Sequence, residues 1–531
     1  MSDISYYEKL IQEKRKKTPF REFVKEIASW ETLSFYKNNG CISRYHGNDR
    51  VKKMWGSFWD DAPGQYRDFD LDSSFFTQFE LLQDQIPMAY TLAFPHLGNN
   101  ENCEFADAVF SAKNVYLSFV VGFGATNIFY SAFCYTNISD VLNSFLITKD
   151  CSEIANSHHI TESFKIFYSK NIYGSSDIWF STNLIGCHEC IGCDNLQNLS
   201  YCINNKVYEK REYLRKKVKI LKDKEVFDSI WKHVYKNTII NFSSTDTYGT
   251  GVVKSSHIEN GLWINNMHNA RNIGIWSGDN GSQNLYDCID VWANGNDFYG
   301  VIAAGWSNAL HLYSSQQIDN SSHIYHSMFM WSCHHCVGCI WLKNKSYCIL
   351  NKQYTKEEWE ILAEKIFASM EADGTLWEFF PASMNPFYFN DTLAYLIDDT
   401  FTKKEVEKDG YLWRDEPIRA DIPEGMKIVK NTELDQYQGF RETHFTKGGV
   451  MKWQGDLRSE QNPQSPHSSS TASLPKEFHW YIDPEILNVV IADEKWNYYR
   501  IVQMEYDFLM KHGLPLPTMH WLERMKAGFI F

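Results

Sequence analysis

Eight of the thirteen cysteines fall into two clusters with identical spacing. The first consists of Cys187, Cys190, Cys193 and Cys202, and the second of Cys333, Cys336, Cys339 and Cys348. Four thiolates so placed could hold Zn²⁺ or an iron–sulfur cluster, because cysteine sulfur is a ligand for both. His188 and His334 recur at matched positions and could add a nitrogen ligand. One interpretation of the clusters is therefore metal binding.

The other interpretation is structural. Cys190 and Cys202 are 12 residues apart, and so are Cys336 and Cys348. Twelve residues is also the length of a repeat unit in this chain, so each pair could stack in a ladder as small, soft core residues. The pattern favours this ladder. It predicts no cofactor, with zinc as the alternative and iron–sulfur or redox chemistry as a further option.

The two clusters belong to an internal duplication. Residues 187–213 return as residues 333–359, with sixteen of twenty-seven positions identical after a shift of 146. The cysteines and a Tyr-Cys-Ile-x-Asn-Lys-x-Tyr segment are all retained. The chain is therefore predicted to contain two related halves.

A short period runs through each half. Small residues recur every 12 or 13 positions, at Ser118, Ser131, Ser144, Ser157, Ser169, Ser181 and Cys193, and again at Ser277, Asp290, Ala303, Ser315, Ser327 and Cys339. Short apolar runs flank them, and Asn is frequent at the turns. A fixed short period is the signature of a solenoid, and strands joined by Asn and Gly turns predict a parallel β-helix.

The size of one coil is left open by the sequence, at about 12 or about 25 residues. The side chains of Trp263, Trp276, Trp292, Trp306 and Trp331 need room. A coil of one unit could hardly enclose them, which favours two units per coil.

Each solenoid is expected to end in a helix that covers its open edge. Thr355-Lys-Glu-Glu358 is a capping box before an amphipathic segment, and residues 208–234 are its counterpart. We therefore predict a mainly β protein with α caps. Its segments are an N-terminal helical or irregular leader (1–104), a first β-solenoid with helical cap (105–240), a second (241–375), a mixed connecting segment (376–456), a low-complexity mobile linker (457–475) and a C-terminal helical segment (476–531). Cleavage between about 235 and 250 is expected to release two separately folded pieces.

Composition narrows the functional classes. The formal net charge of −14 argues against a protein that binds nucleic acid by neutralising phosphates. No apolar run is long enough for a membrane span, and the N-terminus lacks a signal-peptide pattern. The cysteines are accordingly expected to be reduced, in a cytoplasmic protein.

The cysteine motif resembles an uncharacterised bacterial family of cysteine-rich repeat proteins. So do Tyr66-Arg-Asp-Phe-Asp70 and the closing Tyr506-Asp-Phe-Leu-Met-Lys-His-Gly-Leu-Pro-Leu-Pro517, so that the resemblance runs from about residue 55 to the C-terminus. The resemblance implies zinc-ribbon-like Cys-x-x-Cys pairs around the closing helix. Here Ala492, Lys495 and the region Met519 to Leu522 occupy those positions, and only His520 could still bind zinc. The ribbon is therefore expected to have lost its metal, and the resemblance implies no activity.

The function predicted from these features is that of a non-enzymatic scaffold or binding protein that recognises a protein or a glycan along its solenoid faces. The alternative is a carbohydrate-active enzyme, either a polysaccharide lyase or a hydrolase. Asp287 and Asp290 would be its acid and base, although structural carboxylates are favoured. A third option is an acidic rod that mimics DNA. The sequence does not indicate an oligomeric state.

Overall fold

The computed structural model describes most of the first solenoid and its surroundings. The described residues are 4–32, 36–38, 41–43, 54–55, 64–86, 88–89, 99–104, 106–227, 241–242, 252–253, 264–265, 271, 276–277, 286–291, 296–301, 303–304, 310–415, 422, 424–445, 451–452, 477–494 and 496–526. The chain is mainly β with helices, and its dominant feature is the predicted parallel β-solenoid. The expected linker at 457–475 lies outside the described residues.

The first solenoid is built from two parallel sheets. Sheet A contains Glu101–Glu104, Lys113–Tyr116, Thr126–Phe129, Ser139–Leu142, Ser152–Ala155, Phe164–Phe167, Ser176–Trp179, His188–Ile191 and Ser200–Ile203. Sheet B contains Asp107–Phe110, Phe119–Gly122, Ala132–Tyr135, Phe145–Thr148, His158–Thr161, Lys170–Tyr173, Thr182–Ile185 and Asp194–Gln197. Strands of the two sheets alternate along the chain, so one strand from each makes up a coil.

One coil is one repeat unit, and the favoured coil of two units is wrong. Lys113 pairs with Thr126 and Ser152 with Phe164, which are 13 and 12 residues apart. The reasoning failed because it placed bulky residues inside the coil. Trp179 is at an outward position, in a cluster with Phe227 and Ile482. The one indole ring described in the first solenoid therefore lies outside its interior.

The backbone conformation repeats every three residues along each coil, and this repeat makes the chain turn around the solenoid axis. In the first solenoid nearly every third residue is left-handed, for example Asn114, Leu117 and Val120, with φ of 54°, 44° and 53°. The following residue points inward, as Val115, Ser118 and Val121 do, and all three are buried. Four inward residues therefore fill each coil, and together they form the interior cluster. The left-handed positions explain the frequent Asn and Gly, which adopt positive φ most readily.

The second solenoid follows the same plan. Its strands are Asn241–Phe242, Val252–Val253, Ile264–Asn265, Trp276–Ser277, Asp290–Val291, Asn296–Val301, Ala303–Ala304, Leu310–Asp319, Ser322–Tyr325, Met328–Trp331, His334–Val337, Ile340–Lys343 and Ser346–Ile349. Leu310 pairs with Ser322, and Ser322 with His334, in steps of 12. The predicted second solenoid is therefore present among the described residues.

A short hairpin and a helix close each solenoid. Lys206–Val207 pairs antiparallel with Ser200–Ile203, and Lys352–Gln353 with Ser346–Ile349. The cap helices α4 (Lys210–Leu221) and α5 (Lys356–Ala372) follow. The predicted capping box of α5 is confirmed, because the Glu358 amide donates to Thr355 Oγ1 at 3.2 Å while the Thr355 amide donates to the Glu358 carboxylate at 3.0 Å.

The remaining elements lie before, between and after the solenoids. Helices are α1 (Ile4–Arg15), α2 (Phe20–Glu26), α3 (Phe75–Gln83), α6 (Leu393–Ile397), α7 (Lys403–Lys408), α8 (Gln503–His512) and α9 (Trp521–Lys526), with 3-10 turns at Ala28–Trp30, Ala382–Met384, Phe389–Asp391, Asn431–Gln436 and Pro484–Asn488. Strands are Tyr36–Asn38, Cys41–Ser43, Met54–Trp55, Met88–Ala89, Lys427–Lys430, Gln438–Phe445, Met451–Lys452, Glu477–Ile482, Val489–Ala492 and Tyr498–Tyr499. In the C-terminal segment that was expected to be helical (476–531), α8 begins only at Gln503, and Gly513 ends it with a φ of 62°.

Each end of the chain packs on the half that is more distant from it in sequence; we call this the exchange of the chain ends. The N-terminal leader packs on the second half, where Arg15 pairs with Asp287 and Tyr7 contacts Phe367 of α5. The C-terminal segment packs on the outer face of sheet A, with Ile482 and Leu509 in one cluster with Phe167. None of the helices in the described part of the chain is long and apolar enough to cross a membrane.

Candidate functional site

A ladder of corner serines leads to the first cysteine cluster. Each hydroxyl donates to the carbonyl oxygen two residues before it, as Ser131 Oγ does to Phe129 at 2.7 Å. The same oxygen accepts the backbone N–H of the corner residue one coil on, which is Ser144 at 3.0 Å. The pattern repeats along the coils until Cys193 N–H donates to Ser181 Oγ at 3.0 Å. The serine spacing found in the sequence is therefore a hydrogen-bonded ladder.

Cysteine replaces serine where each solenoid ends. The Asn205 amide donates to Cys193 Sγ at 3.4 Å, and in the second half the Asn351 amide donates to Cys339 Sγ at 3.5 Å. Both asparagines lie in the hairpin turn that closes the solenoid. The sulfur is larger and softer than a hydroxyl oxygen, so it fills the last coil while still accepting this amide.

The structure brings the four cysteines of each cluster together. Cys187, Cys190 and Cys193 occupy consecutive inward positions of one coil, and Cys202 lies directly above Cys190 in the strand register. The second cluster repeats this arrangement, with Cys348 paired to Cys336. All eight thiols are free and buried, so both clusters form part of the solenoid interior.

Every one of these thiols is placed to donate to a backbone carbonyl. The acceptor is always two residues earlier, as for Cys190 to His188 at 3.5 Å and Cys336 to His334 at 3.5 Å. A thiol that donates keeps its proton, whereas a metal ligand is a thiolate. No group of three or more His, Cys, Asp or Glu side chains is arranged to hold a metal ion in the part of the chain that the structure describes. The eight cysteine side chains therefore pack as hydrogen-bonded residues of the solenoid interior.

Neighbouring thiols and burial shift the cysteine pKa values. A hydrogen bond with Cys193, together with burial, raises the pKa of Cys190 far above its usual range. The same contact lowers the pKa of Cys193 to about 7. Burial raises the pKa values of Cys336 and Cys339. Within this hydrogen-bonded pair, Cys193 therefore ionises more readily than Cys190.

The neighbouring histidines lie on the outside of the coil. The side chains of His188 and His334 are exposed, and His188 Nδ1 is 2.7 Å from Ser176 Oγ. His334 Nδ1 lies 3.1 Å from His335 Nδ1. The strand backbone separates both rings from the inward cysteines, so they do not extend the clusters as the sequence suggested.

The two candidate acids are differently placed. Asp287 is fully buried and pairs with Arg15 Nη1 at 2.6 Å. Burial raises the pKa of Asp287 to about 6, although Arg15 opposes this shift. The backbone of Asp290 lies in a strand between Trp276 and Ala303, and its side chain is outside the described residues. The buried ion pair favours a structural role for Asp287.

The two segments in which the resemblance implies a zinc ribbon touch at Asp493 and His520. Val489–Ala492 and Tyr498–Tyr499 form a hairpin, and Asp493 Oδ1 accepts the Asn497 amide in its turn at 2.9 Å. The His520 amide approaches Asp493 Oδ2 at 3.4 Å. A carboxylate thus links the two segments, while Lys495 lies outside the described residues.

Sequence reasoning missed an exposed corner of the first solenoid. It follows the strands of sheet B from Phe119–Gly122 to Asp194–Gln197 and is called the open corner here; it comprises Phe123, Gly124, Thr136, Asn137, Lys149, Asp150, Glu162, Gly174, Gly186 and Asn198. Three large aromatic side chains lie at or beside it: Phe123, Phe164 and Tyr173 are 41%, 48% and 47% exposed. The available signal was the aromatic residues at outward positions of the three-residue period.

Polar groups run along the open corner between these rings. Asn137 Nδ2 donates to Asp150 Oδ1 of the next coil at 2.9 Å. Glu162 lies beside Tyr173, and burial together with this carboxylate raises the pKa of the tyrosine. By contrast, the outward residues of sheet A such as Phe129, Phe167 and Trp179 are covered. The open corner is therefore a long amphipathic surface.

Comparison with known proteins assigns no relationship. No family model, no curated protein and no solved structure matches this chain.

Proposed function

We propose that the protein is a non-enzymatic repeat scaffold that binds an elongated ligand, a glycan or a protein segment, along the open corner of its first solenoid. The observation that carries the proposal is a group of three exposed aromatic rings at and beside that corner. Phe123 lies in the corner, Tyr173 ends a strand of sheet B and Phe164 begins a strand of sheet A. Aromatic faces combine a large apolar area with a defined geometry, which suits both sugar rings and peptide side chains.

The repeat supplies the spacing of this surface. Neighbouring coils are about 4.8 Å apart, so the four coils between Phe123 and Tyr173 place them roughly 19 Å from each other. Asn137, Asp150 and Glu162 offer hydrogen-bonding groups between them. A ligand that contacts all of these must be extended, as a polysaccharide chain or a strand-like peptide is.

The internal packing leaves this corner for the ligand. Outward residues at the ends of sheet A strands, such as Phe129 and Phe167, are covered by the C-terminal segment, and outward residues of sheet B such as Ala132, Phe145 and Lys170 are buried. Asp287, the acid suggested for the enzymatic alternative, is occupied by Arg15. Both observations favour binding over catalysis.

Affinity electrophoresis in gels that contain neutral or acidic polysaccharides tests the proposal. The wild-type protein is expected to be retarded by at least one polysaccharide, and Phe164→Ala with Tyr173→Ala to remove the retardation. Tyr66→Ala is the matched control, because Tyr66 is 59% exposed but lies outside the corner. A peptide array of extended sequences provides the same comparison for a protein ligand.

Two outcomes would contradict the proposal. Binding that survives the double substitution would place the ligand elsewhere. Release of new reducing ends or unsaturated products from a polysaccharide would instead favour the enzymatic alternative, and Asp287→Asn would then be the first variant to measure.

A further inference from the structure

The two cap helices are equivalent in the duplication but differ in charge. Tyr213 of α4 corresponds to Trp359 of α5, and both are buried plugs at the ends of their solenoids. The twelve residues of α4 include six cations and one acid, a net charge of +5. The seventeen residues of α5 include two cations and five acids, a net charge of −3.

Capping does not explain the basic charge of α4. Helix α5 follows the same kind of hairpin and has a net negative charge. A helix can therefore cap the end of a solenoid without a cationic surface. Arg211, Arg215 and Lys219 are spaced by four residues and therefore lie on one side of the helix. All three side chains are exposed, and no carboxylate of the described part of the chain pairs with them. Two other cations of α4 do have partners, Lys216 with Glu212 and Lys217 with Glu189.

Each helix also exposes an aliphatic side chain among its charges. Leu214 is 42% exposed and is preceded by Lys210 and Arg211 at four and three positions. Ile361 is 59% exposed and is preceded in the same way by Glu357 and Glu358. Residues three and four apart on a helix are neighbours, so each aliphatic group has a pair of like charges beside it, of opposite sign in the two helices.

We propose that α4 of one copy of the chain docks against α5 of a second copy. Leu214 would pack against Ile361, and the cations of α4 would face the carboxylates of α5. The chain itself carries both of the complementary surfaces, since α4 is basic and α5 is acidic. Opposite charges around a small apolar centre set the register and speed of association, and they make it sensitive to salt.

Sedimentation velocity on the full chain tests the docking. Wild-type protein is expected to self-associate in about 50 mM salt and to dissociate in about 500 mM salt, where charges are screened over a few ångströms. Arg211→Glu with Arg215→Glu should weaken the association by about tenfold or more, and so should Glu357→Lys with Glu364→Lys. Lys404→Glu with Lys408→Glu on α7 makes the same change of charge elsewhere and should leave it unaltered.

Combining the two reversed pairs in one chain gives the decisive measurement. The four substituted positions then carry exchanged charges, while each helix as a whole has a net charge of +1. Association should therefore recover part of the loss that either reversed pair causes alone. Circular dichroism and the melting temperature establish that each variant is folded. A wild-type chain that stays monomeric at low salt overturns the proposal. So does self-association that neither reversed pair weakens, or that the combined variant fails to restore.

Discussion

A cysteine in this interior occupies one of two kinds of position. Cys193 and Cys339 lie at corners, where the preceding coils carry serine and where an amide from the hairpin reaches the sulfur. Cys190 and Cys336 lie in strands, where the preceding coils carry Ile178 and Ile324. The same side chain is therefore the last member of a polar ladder at one position and of an apolar ladder at the other.

Substitution by serine should separate these two positions. Cys193→Ser extends an existing serine ladder and is expected to change the free energy of unfolding by less than about 0.5 kcal/mol. Cys190→Ser places a hydroxyl in an apolar ladder and is expected to lower it by about 1–3 kcal/mol. Denaturant unfolding measures both, with the half-buried Cys103→Ser as control. Equal losses at Cys190 and Cys193 would show that the corner and strand positions are not distinct.

Metal content gives an independent measurement on the same residues. If the thiols are protonated packing groups, elemental analysis of the purified protein should find less than about 0.2 zinc per chain, because a bound structural metal would be stoichiometric. About two zinc ions per chain, lost together in Cys187→Ser and Cys333→Ser, would establish metal centres at both solenoid ends instead.

A buried histidine links stability to pH. His326 is fully buried between Phe75 and Phe76, and burial lowers its pKa to about 3 from an ordinary 6.5. The unfolded chain therefore binds a proton there near pH 6, while the folded chain does not. The contribution of His326 to stability is complete above pH 6.5 and falls as the pH drops towards 3.

Between pH 7 and pH 5 this histidine should account for a loss of about 2 kcal/mol. Denaturant unfolding at the two pH values is expected to show a smaller difference for His326→Gln by about that amount. An unchanged pH dependence in His326→Gln would show that the ring is not held neutral.

At the scale of elements, the solenoid depends on left-handed backbone at many residues other than glycine. Positive φ is unfavourable for most side chains, by about 1–2 kcal/mol, and least so for Gly, Asn and Asp. Lys165 has a φ of 56° and an exposed side chain. Its side chain therefore reports the backbone preference with little contribution from packing.

Lys165→Asn is expected to stabilise the protein by about 0.5–1 kcal/mol, and Lys165→Val to destabilise it by about 1–2 kcal/mol. Thermal and denaturant unfolding give the two values. Ser139→Val, in an extended position of sheet A, is the control and should cost little, because β-branched residues favour strands. Equal stability of the Lys165→Val and Lys165→Asn variants would contradict the assigned backbone conformation.

At the scale of the whole molecule, the exchange of the chain ends changes what a cut should do. The leader contributes Phe23 and Trp30 to one core with Phe329 and Phe367 of the second half. The C-terminal segment contributes Leu509 to a core with Phe167 of the first half. Two halves that each require the other's terminus do not behave as separate domains.

Proteolysis in the segment between about 235 and 250 is therefore expected to leave the two fragments bound together, rather than to separate them as the duplication suggested. Size-exclusion chromatography of the nicked protein, followed by denaturing electrophoresis of the peak, measures this. Two fragments that elute apart and keep their circular dichroism would show that the exchanged contacts are dispensable.

The solenoid could be predicted from the sequence because small residues recur once in every coil. The hydroxyl oxygens of Ser118 and Ser131 accept the backbone N–H groups of Ser131 and Ser144 in the next coil. The spacing of these serines is therefore the length of one coil. Reasoning from side-chain volume then failed, since Trp179 packs outside the coil. The open corner and the exchange of the ends could not be predicted, because each depends on which face another segment covers. No local pattern around Phe164 or Arg15 records that choice.

The C-terminal segment contacts the first half at two points along the solenoid axis. Lys511 pairs with Asp140 at 2.8 Å, and Trp480 Nε1 donates to the Leu221 carbonyl beyond the last coil at 3.1 Å. A twelve-residue insertion or deletion between these points would keep every strand in register, as tandem repeats allow. It would nevertheless move one of the two contact points by about 4.8 Å relative to the other. The distance between these two contacts therefore matches one number of coils. A solenoid that gained or lost a repeat during evolution would no longer make both contacts with the C-terminal segment.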